Sequence, residues 1–216
     1  MSAEYVACME DVLDLYAEPY DALRPVVNFD EKSKQLVAEK RAIIAAKPGR
    51  VERFDYEYRR HGVANLFAFC EARAGWRHIA VTERHTKQDF AAQMKWLVDE
   101  QYPQAERIRV VMDNLKPHKP ASLYERFAPD EARRILRKLE FQYTPKHGSW
   151  LNLVEIELSV LERQCLNRRI PDAATLQREV AAYEARRNKA RAAITWSFNV
   201  DDARRKLKRL YPSTPL

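Results

Sequence analysis

Apolar residues recur along the chain at two spacings, and their succession sets out an α/β order. From about Ala3 to Tyr16 the residues Tyr5, Val6, Met9, Val12, Leu13 and Tyr16 fall at helical intervals and predict an amphipathic helix, which "EPYDALRP" ends. "PVVNFDEKSKQLV" is strand-like, and "AAKPGRVERFDYEYRRHG" carries a Pro-Gly turn within a charged hairpin or loop. "VANLFAFCEA" and "WRHIAVTE" predict two more strands separated by a turn around Gly75. Thr86 is placed to cap a helix over "TKQDFAAQMKWLVDEQY", whose Phe90, Met94, Leu97 and Val98 share a face. "RIRVVMDN" is a fourth strand, "ASLYERFAPDEARRILRKL" is helical with an interruption at Pro129, and "LEFQYTP" is a short fifth strand. Helices follow over "WLNLVEIELSVLERQC", "DAATLQREVAAYEARRNKA" and "NVDDARRKLKRLY". Three strands before the first long helix and two alternating with helices after it predict a mixed-sheet α/β domain.

Composition narrows the class. With 216 residues, 46% of them hydrophobic, the chain can bury a substantial core. A formal net charge of +7 favours a polyanionic partner. Nucleic acid is preferred to a membrane, because no apolar run is long enough to span a bilayer and the N-terminus is acidic where a signal peptide is basic. A cytosolic protein is expected. The three cysteines, Cys8, Cys70 and Cys165, form no CxxC pair, which argues against a zinc site or a disulfide framework.

Three acidic residues stand out by position. Asp30 is placed at the end of the first strand, Asp113 ends the fourth, and Glu155 lies in the first turns of the helix after "TPKHGSWLN". Carboxylates so placed can converge on divalent cations, since Mg²⁺ takes oxygen ligands and completes its shell with water and phosphate oxygens. Two such ions can activate an attacking oxygen and stabilise a leaving one in an in-line phosphoryl displacement. Each residue also has a plain structural reading: Asp30, followed by Glu31 and Lys32, suits a solvated strand end, and Asp113-Asn114 suits a turn or cap. Glu157 lies about 200° around the helix from Glu155, so the two cannot face one ion, and Glu157 is assigned to a surface or salt-bridged face. His118 and His147 read as hydrogen-bonding loop residues, the runs "RRNKAR" and "RRKLKR" as solvated helix faces before DNA contacts, and Trp96, Trp150 and Trp196 as core.

The ordered blocks "NFDEKSKQ", "YEYRRHGVANLFAF", "GWRHIAVTERHTKQDFA", "RVVMDNLKPHKPASLYERF", "FQYTPKHGSWLNLVEIELSVL" and "RRIPD" resemble the catalytic half of a bacterial insertion-sequence transposase of the mariner superfamily. The resemblance runs from about Pro25 to Tyr211 and implies an RNase H-like fold, here a mixed five-stranded sheet flanked by helices, with a DDE triad. On this resemblance Asp30 matches the first aspartate, Asp113 the second in its "DN" context, and Glu155 the glutamate of the Asn-x-x-Glu pattern that begins at Asn152. It implies that Asp30 bridges two Mg²⁺ (or Mn²⁺) ions whose shells Asp113 and Glu155 complete. Water would then cleave the phosphodiester at the transposon end, and the freed 3′-hydroxyl would attack target DNA. Asn114, His118, Lys146 and His147 are weaker candidates for supporting the site or contacting phosphate.

Family members usually carry helix-turn-helix modules ahead of the catalytic domain, whereas here only a short acidic helical segment precedes the first strand. Residues 1–24 are accordingly read as a helical linker remnant and 25–216 as the catalytic domain with basic C-terminal helices. A truncated copy, the second frame of a split element or a wrongly placed start would each produce such a chain. The expected partners are transposon ends and target DNA, a second copy of the chain as a homodimer, and possibly a separate helix-turn-helix chain, in a bacterial, nucleoid-associated setting. Two alternatives stay open on the residues alone: an RNase H-like nuclease or resolvase that stops after hydrolysis, and a decayed DNA-binding remnant without activity.

Overall fold

The structure, a computed structural model, describes residues 3–41, 44–53, 56–115 and 118–212. Part of the charged "AAKPGRVERFDYEYRRHG" loop, the prolyl residue before His118 and the two termini lie outside the described residues. The elements run α1 (Ala3–Ala17), β1 (Val26–Glu39), β2 (Tyr58–Glu71), β3 (Trp76–Thr82), α2 (Lys87–Trp96), β4 (Ile108–Met112), α3 (Ala121–Arg126), α4 (Pro129–Lys138), β5 (Leu139–Tyr143), α5 (Val154–Leu161), α6 (Ala173–Lys189) and α7 (Val200–Lys206). The five strands form one sheet in the order β3-β2-β1-β4-β5. β1 pairs antiparallel with β2 and β2 with β3, while β1 pairs parallel with β4 and β4 with β5. This is the mixed five-stranded, helix-flanked α/β sheet expected from the sequence.

Period-2 alternation divides the central strands between two faces. Val27 and Phe29 of β1, Phe67 and Phe69 of β2, and Val110 and Met112 of β4 pack on Phe90, Met94, Leu123 and Ile135 from α2, α3 and α4 and on Leu97 just after α2. On the other face Leu66, Ala68 and Cys70 of β2 meet Leu158 and Leu161 of α5 and Leu176, Val180 and Tyr183 of α6. α1 packs on this second side through Tyr5, Met9, Val12, Leu13 and Tyr16, in a cluster with Val111, Leu151, Leu153 and Ala203 of α7. The acidic N-terminal segment is thus integrated into the core. α2 begins at the expected cap: Thr86 accepts from the Asp89 N–H, and the Asp89 carboxylate accepts from the Thr86 N–H in return.

Two expectations need correction. Asp30 does not end its strand, because β1 continues to Glu39 in a long antiparallel arm with β2 whose register shifts between Gln35 and Val37. The helix expected over "WLNLVEIELSVLERQC" is also not continuous. Ser149–Leu151 is a single 3-10 turn, Asn152 leaves helical geometry, and α5 starts only at Val154. Asn152 breaks the helix because its side chain bonds to β1, as described next.

Candidate active site

The parallel pairing of β1 with β4 sets Asn28 opposite Val111. Two residues further along the same register, Asp30 stands beside Asp113, which follows the last residue of β4. The Asp113 side chain turns to His118, which packs against Phe29, whereas the Asp30 side chain meets Asn152; the charge of Asp113 still acts on Asp30. β4 stops here while β1 continues, and this opens the sheet at Asp30.

The third carboxylate is brought in by two asparagines. Asn152 Nδ2 donates to the Phe29 carbonyl at 2.8 Å and to Asp30 Oδ2 at 3.5 Å. Asn28 Oδ1 accepts from the Leu153 N–H at 3.1 Å, and the Tyr16 hydroxyl shares its single hydrogen between Asn28 Oδ1 and the Leu151 carbonyl, 2.8 Å away. The turn before α5 is therefore pinned to β1. Glu155, on the first turn of α5 with its N–H bonded to the Asn152 carbonyl, is carried to the site while remaining exposed.

Electrostatics records this grouping. Burial, together with the like charges of Glu155 and Asp113, pushes the Asp30 carboxyl up to about 7, against the lowering effect of the Glu31 N–H and the charge of His118. His118 is fully buried, with Nδ1 on Asp113 Oδ1 at 2.5 Å and Nε2 on Glu31 Oε1 at 3.0 Å. Burial alone would lower its pKa, but the bonds to Asp113 and Glu31 raise it to about 9, so at neutral pH both ring nitrogens carry protons and donate. Its ring packs against Phe29 and Phe90, with centroids 5.2 and 5.1 Å away.

The lesser candidates divide. Asn114, Lys146 and His147 line one groove of about 730 Å³ together with Asp113. A second groove of about 420 Å³, lined by Glu31, Lys32, Glu155, Ser159 and Arg163, opens on the other flank. His118 lies beneath the site and cannot reach a bound phosphate. Sequence reading missed Glu31 as its second partner and gave Asn28 no role. A strand-borne polar residue such as Asn28, flanked by Val27 and Phe29, was the available signal.

Glu157 is salt-bridged but not at the surface: it is 1% exposed and takes bonds from Tyr183, Arg187 and Arg77. Arg187, from the first basic run, is thus part of the core scaffold. Trp96 and Trp196 are partly buried against the core clusters. Trp150 is a correction, being 40% exposed with its ring 6.3 Å from Trp196.

Three carboxylates present the oxygen donors that a hard divalent cation takes, and their mutual repulsion is what such an ion relieves. The donor set therefore fits a divalent metal. Among the described residues, no three His, Cys, Asp or Glu side chains are gathered closely enough to form a ready-made ion site, and Asp113 is turned toward His118. Among the described residues, no helix is long and apolar enough to cross a membrane.

Fold and site together define an α/β domain with an acidic centre where β4 ends beside β1, in the middle of a mixed sheet. The sequence profile of the DDE superfamily endonucleases matches residues 25–177, and the chain belongs to that family. No curated protein matches it. Among solved structures, similar ones include the Mos1 mariner paired end complex with Mn, at 15% identity and a TM-score of 0.37, with 91% of this chain and 65% of that chain covered. A pre-cleavage Mos1 transpososome gives 14%, 0.40, 91% and 65% in the same order. The Mos1 Strand Transfer Complex gives 15%, 0.38, 87% and 60%. The chain thus spans less than two thirds of the length of the solved proteins it resembles.

Proposed function

We propose that the chain is the catalytic domain of a DNA transposase, with Asp30, Asp113 and Glu155 as its metal-ligating carboxylates. One observation carries this reading: Asp113 follows the end of β4, the parallel neighbour of β1, close enough for its charge to act on Asp30, and Asn152 ties the start of the Glu155 helix to Asp30. All these residues fall within the segment that matches the DDE superfamily endonucleases.

Two Mg²⁺ or Mn²⁺ ions bound there would supply Lewis-acid activation of an attacking oxygen and neutralisation of a leaving one. The protein's own contribution is positioning and charge. With ions bound, Asp30 would supply a negative charge beside Glu155 and Asp113, whose like charges already act on it. Asn152 and Asn28 keep α5 from drifting away from β1. The grooves on either flank offer Lys146 and His147 on one side and Lys32 and Arg163 on the other to a phosphate backbone. With a net charge of +7, the chain draws in DNA in a salt-dependent way.

The reaction is hydrolysis of a phosphodiester at a transposon end, followed by attack of the released 3′-hydroxyl on target DNA. Two ends require two copies of the chain, so a homodimer is the working form, and a helix-turn-helix module, attached or separate, recognises the ends. Residues 25–216 carry the catalytic groups, with α1 packed on them as part of the same core, and act in a bacterial cytoplasm at the nucleoid.

The test is nicking of supercoiled DNA with Mn²⁺ by the full chain and by Asp113→Asn. The variant should lose at least about 100-fold in rate and keep its salt-dependent DNA binding. Equal rates would overturn the assignment. Joined products, as opposed to free cleaved ends, separate a transposase from a nuclease that stops at hydrolysis.

A further inference from the structure

Glu31 touches both aspartates of the site by different routes. Its backbone N–H donates to Asp30 Oδ1 at 2.7 Å, and its carboxylate holds His118 Nε2 at 3.0 Å. His118 then reaches Asp113 through Nδ1. The imidazole is fully buried, edge-on to Phe29 and tilted against Phe90, and the His118 backbone is held as well, its N–H on the Leu115 carbonyl and its carbonyl accepting from the Tyr143 hydroxyl at 2.9 Å. Among the described residues, no hydrogen bond uses Asp113 Oδ2. One oxygen of Asp113 is therefore held by His118, while the residue lines the groove on that flank.

We propose that Glu31 and His118 are positioning residues: Glu31 orients the imidazole, the imidazole orients the Asp113 carboxylate, and the pair presents its second oxygen toward Asp30. Asp113 sits just past the end of β4, so the sheet does not hold its side chain, and a fixed neighbour must. Hydrogen-bonded partners behind a ligating carboxylate serve this purpose, and their loss typically costs about 10–100-fold in metal affinity or activity. The inference rests on Asp113 being a ligand, as proposed above.

The test is Mn²⁺ binding to the full chain, followed by the decay of the free-ion electron paramagnetic resonance signal, with thermal melting of each variant without metal alongside. Glu31→Gln and His118→Gln should each weaken Mn²⁺ binding about tenfold or more. The two effects should not add, because Glu31 acts through the imidazole. Glu31→Gln lies on a strand with its side chain 13% exposed and gives the reading even where His118→Gln destabilises the fold. Three results overturn the proposal: unchanged Mn²⁺ affinity in Glu31→Gln, lower melting temperatures alone in both variants, or a Glu31→Gln effect that persists in full in the His118→Gln background, which would make Glu31 itself a ligand. Asp113→Asn in the same titration separates the two levels. If it leaves Mn²⁺ binding intact, the ligand assignment fails. If it abolishes binding while Glu31→Gln does not weaken it, only the positioning role fails.

Discussion

Glu155 and Glu157 are two residues apart on α5, and the structure gives them opposite fates, so replacing each with glutamine separates chemistry from scaffold. Glu157 takes the Tyr183 hydroxyl at 2.5 Å and Arg187 Nη2 at 2.8 Å, and lies 3.2 Å from Arg77 Nε. Arg77 is fully buried, so neutralising Glu157 strips the counter-charge from a cation that water cannot reach. Breaking one side of a buried pair costs about 3–5 kcal/mol. Arg77 keeps its bonds to the Gly75 carbonyl at 2.7 Å and to the Ala192 carbonyl at 2.5 Å, and glutamine retains an acceptor, so the lower end, about 3 kcal/mol, is expected. For a domain of this size that is a fall of roughly 6–12 °C in melting temperature. Glu155 is exposed, and Glu155→Gln should stay within about 0.5 kcal/mol of the parent. Urea unfolding and calorimetry measure the stabilities, and Mn²⁺-dependent nicking measures the chemistry. The expected pattern is a stable, inactive Glu155→Gln and a destabilised Glu157→Gln whose folded fraction still cleaves. A Glu157→Gln as stable as the parent, or a Glu155→Gln that cleaves normally, would refute the division.

Further outcomes follow from single contacts. The bonds from Arg187 and Tyr183 and the charge of Arg77 outweigh burial and hold Glu157 below the usual carboxylate range, so its contribution to stability is complete above about pH 4.5 and is lost as pH falls through its folded pKa; Glu157→Gln should flatten that acid limb of a stability–pH curve. Asp30 shifts the other way, up to about 7, so a cost to folding builds from about pH 4 and is complete above about pH 7; Asp30→Asn, without divalent metal, should be more stable at pH 8 by about 3–4 kcal/mol, with the gain fading towards pH 4, and an unchanged urea midpoint at pH 8 would contradict it. Asn152→Ala removes the ties to Phe29 and Asp30 and should cost about 1–3 kcal/mol in urea unfolding and also slow nicking, whereas loss of stability alone would mean that the tie does not align Glu155. Gly75 has φ +65°, and a Cβ there would lie 2.5 Å from the Arg191 backbone, so Gly75→Ala should destabilise by at least about 1 kcal/mol, and a neutral melt would disprove the close approach.

The elements were legible because alternation and caps are local signals. Phe90, Met94, Leu97 and Val98 declared α2, and Thr86 with Asp89 declared its start. The interior position of Asp30 was not legible, since polar residues after it look like a strand end until the partner strand β2 is known to continue alongside. The break at Asn152 hid for a related reason: an asparagine reads as helical within an apolar repeat, and only its bond to Phe29, 123 residues away, draws it out. His118 gave no sign of burial in a stretch of lysine and proline, because its partners Glu31, Phe29 and Phe90 come from other elements. Glu157 was read correctly as ion-paired, but its burial depends on Arg77 and Arg187, which meet only when α6 packs on β3. α1 carried a clear amphipathic stripe, whose destination on the sheet could not be read from the segment itself.

The most direct measurement is anomalous diffraction at the manganese edge from crystals of the full chain soaked in Mn²⁺. The account expects a peak bonded at about 2.0–2.3 Å to carboxylate oxygens of Asp30 and Asp113, with Glu155 oxygens completing the site. A peak elsewhere on the protein, or none where Asp30 and Asp113 stand together, would contradict it.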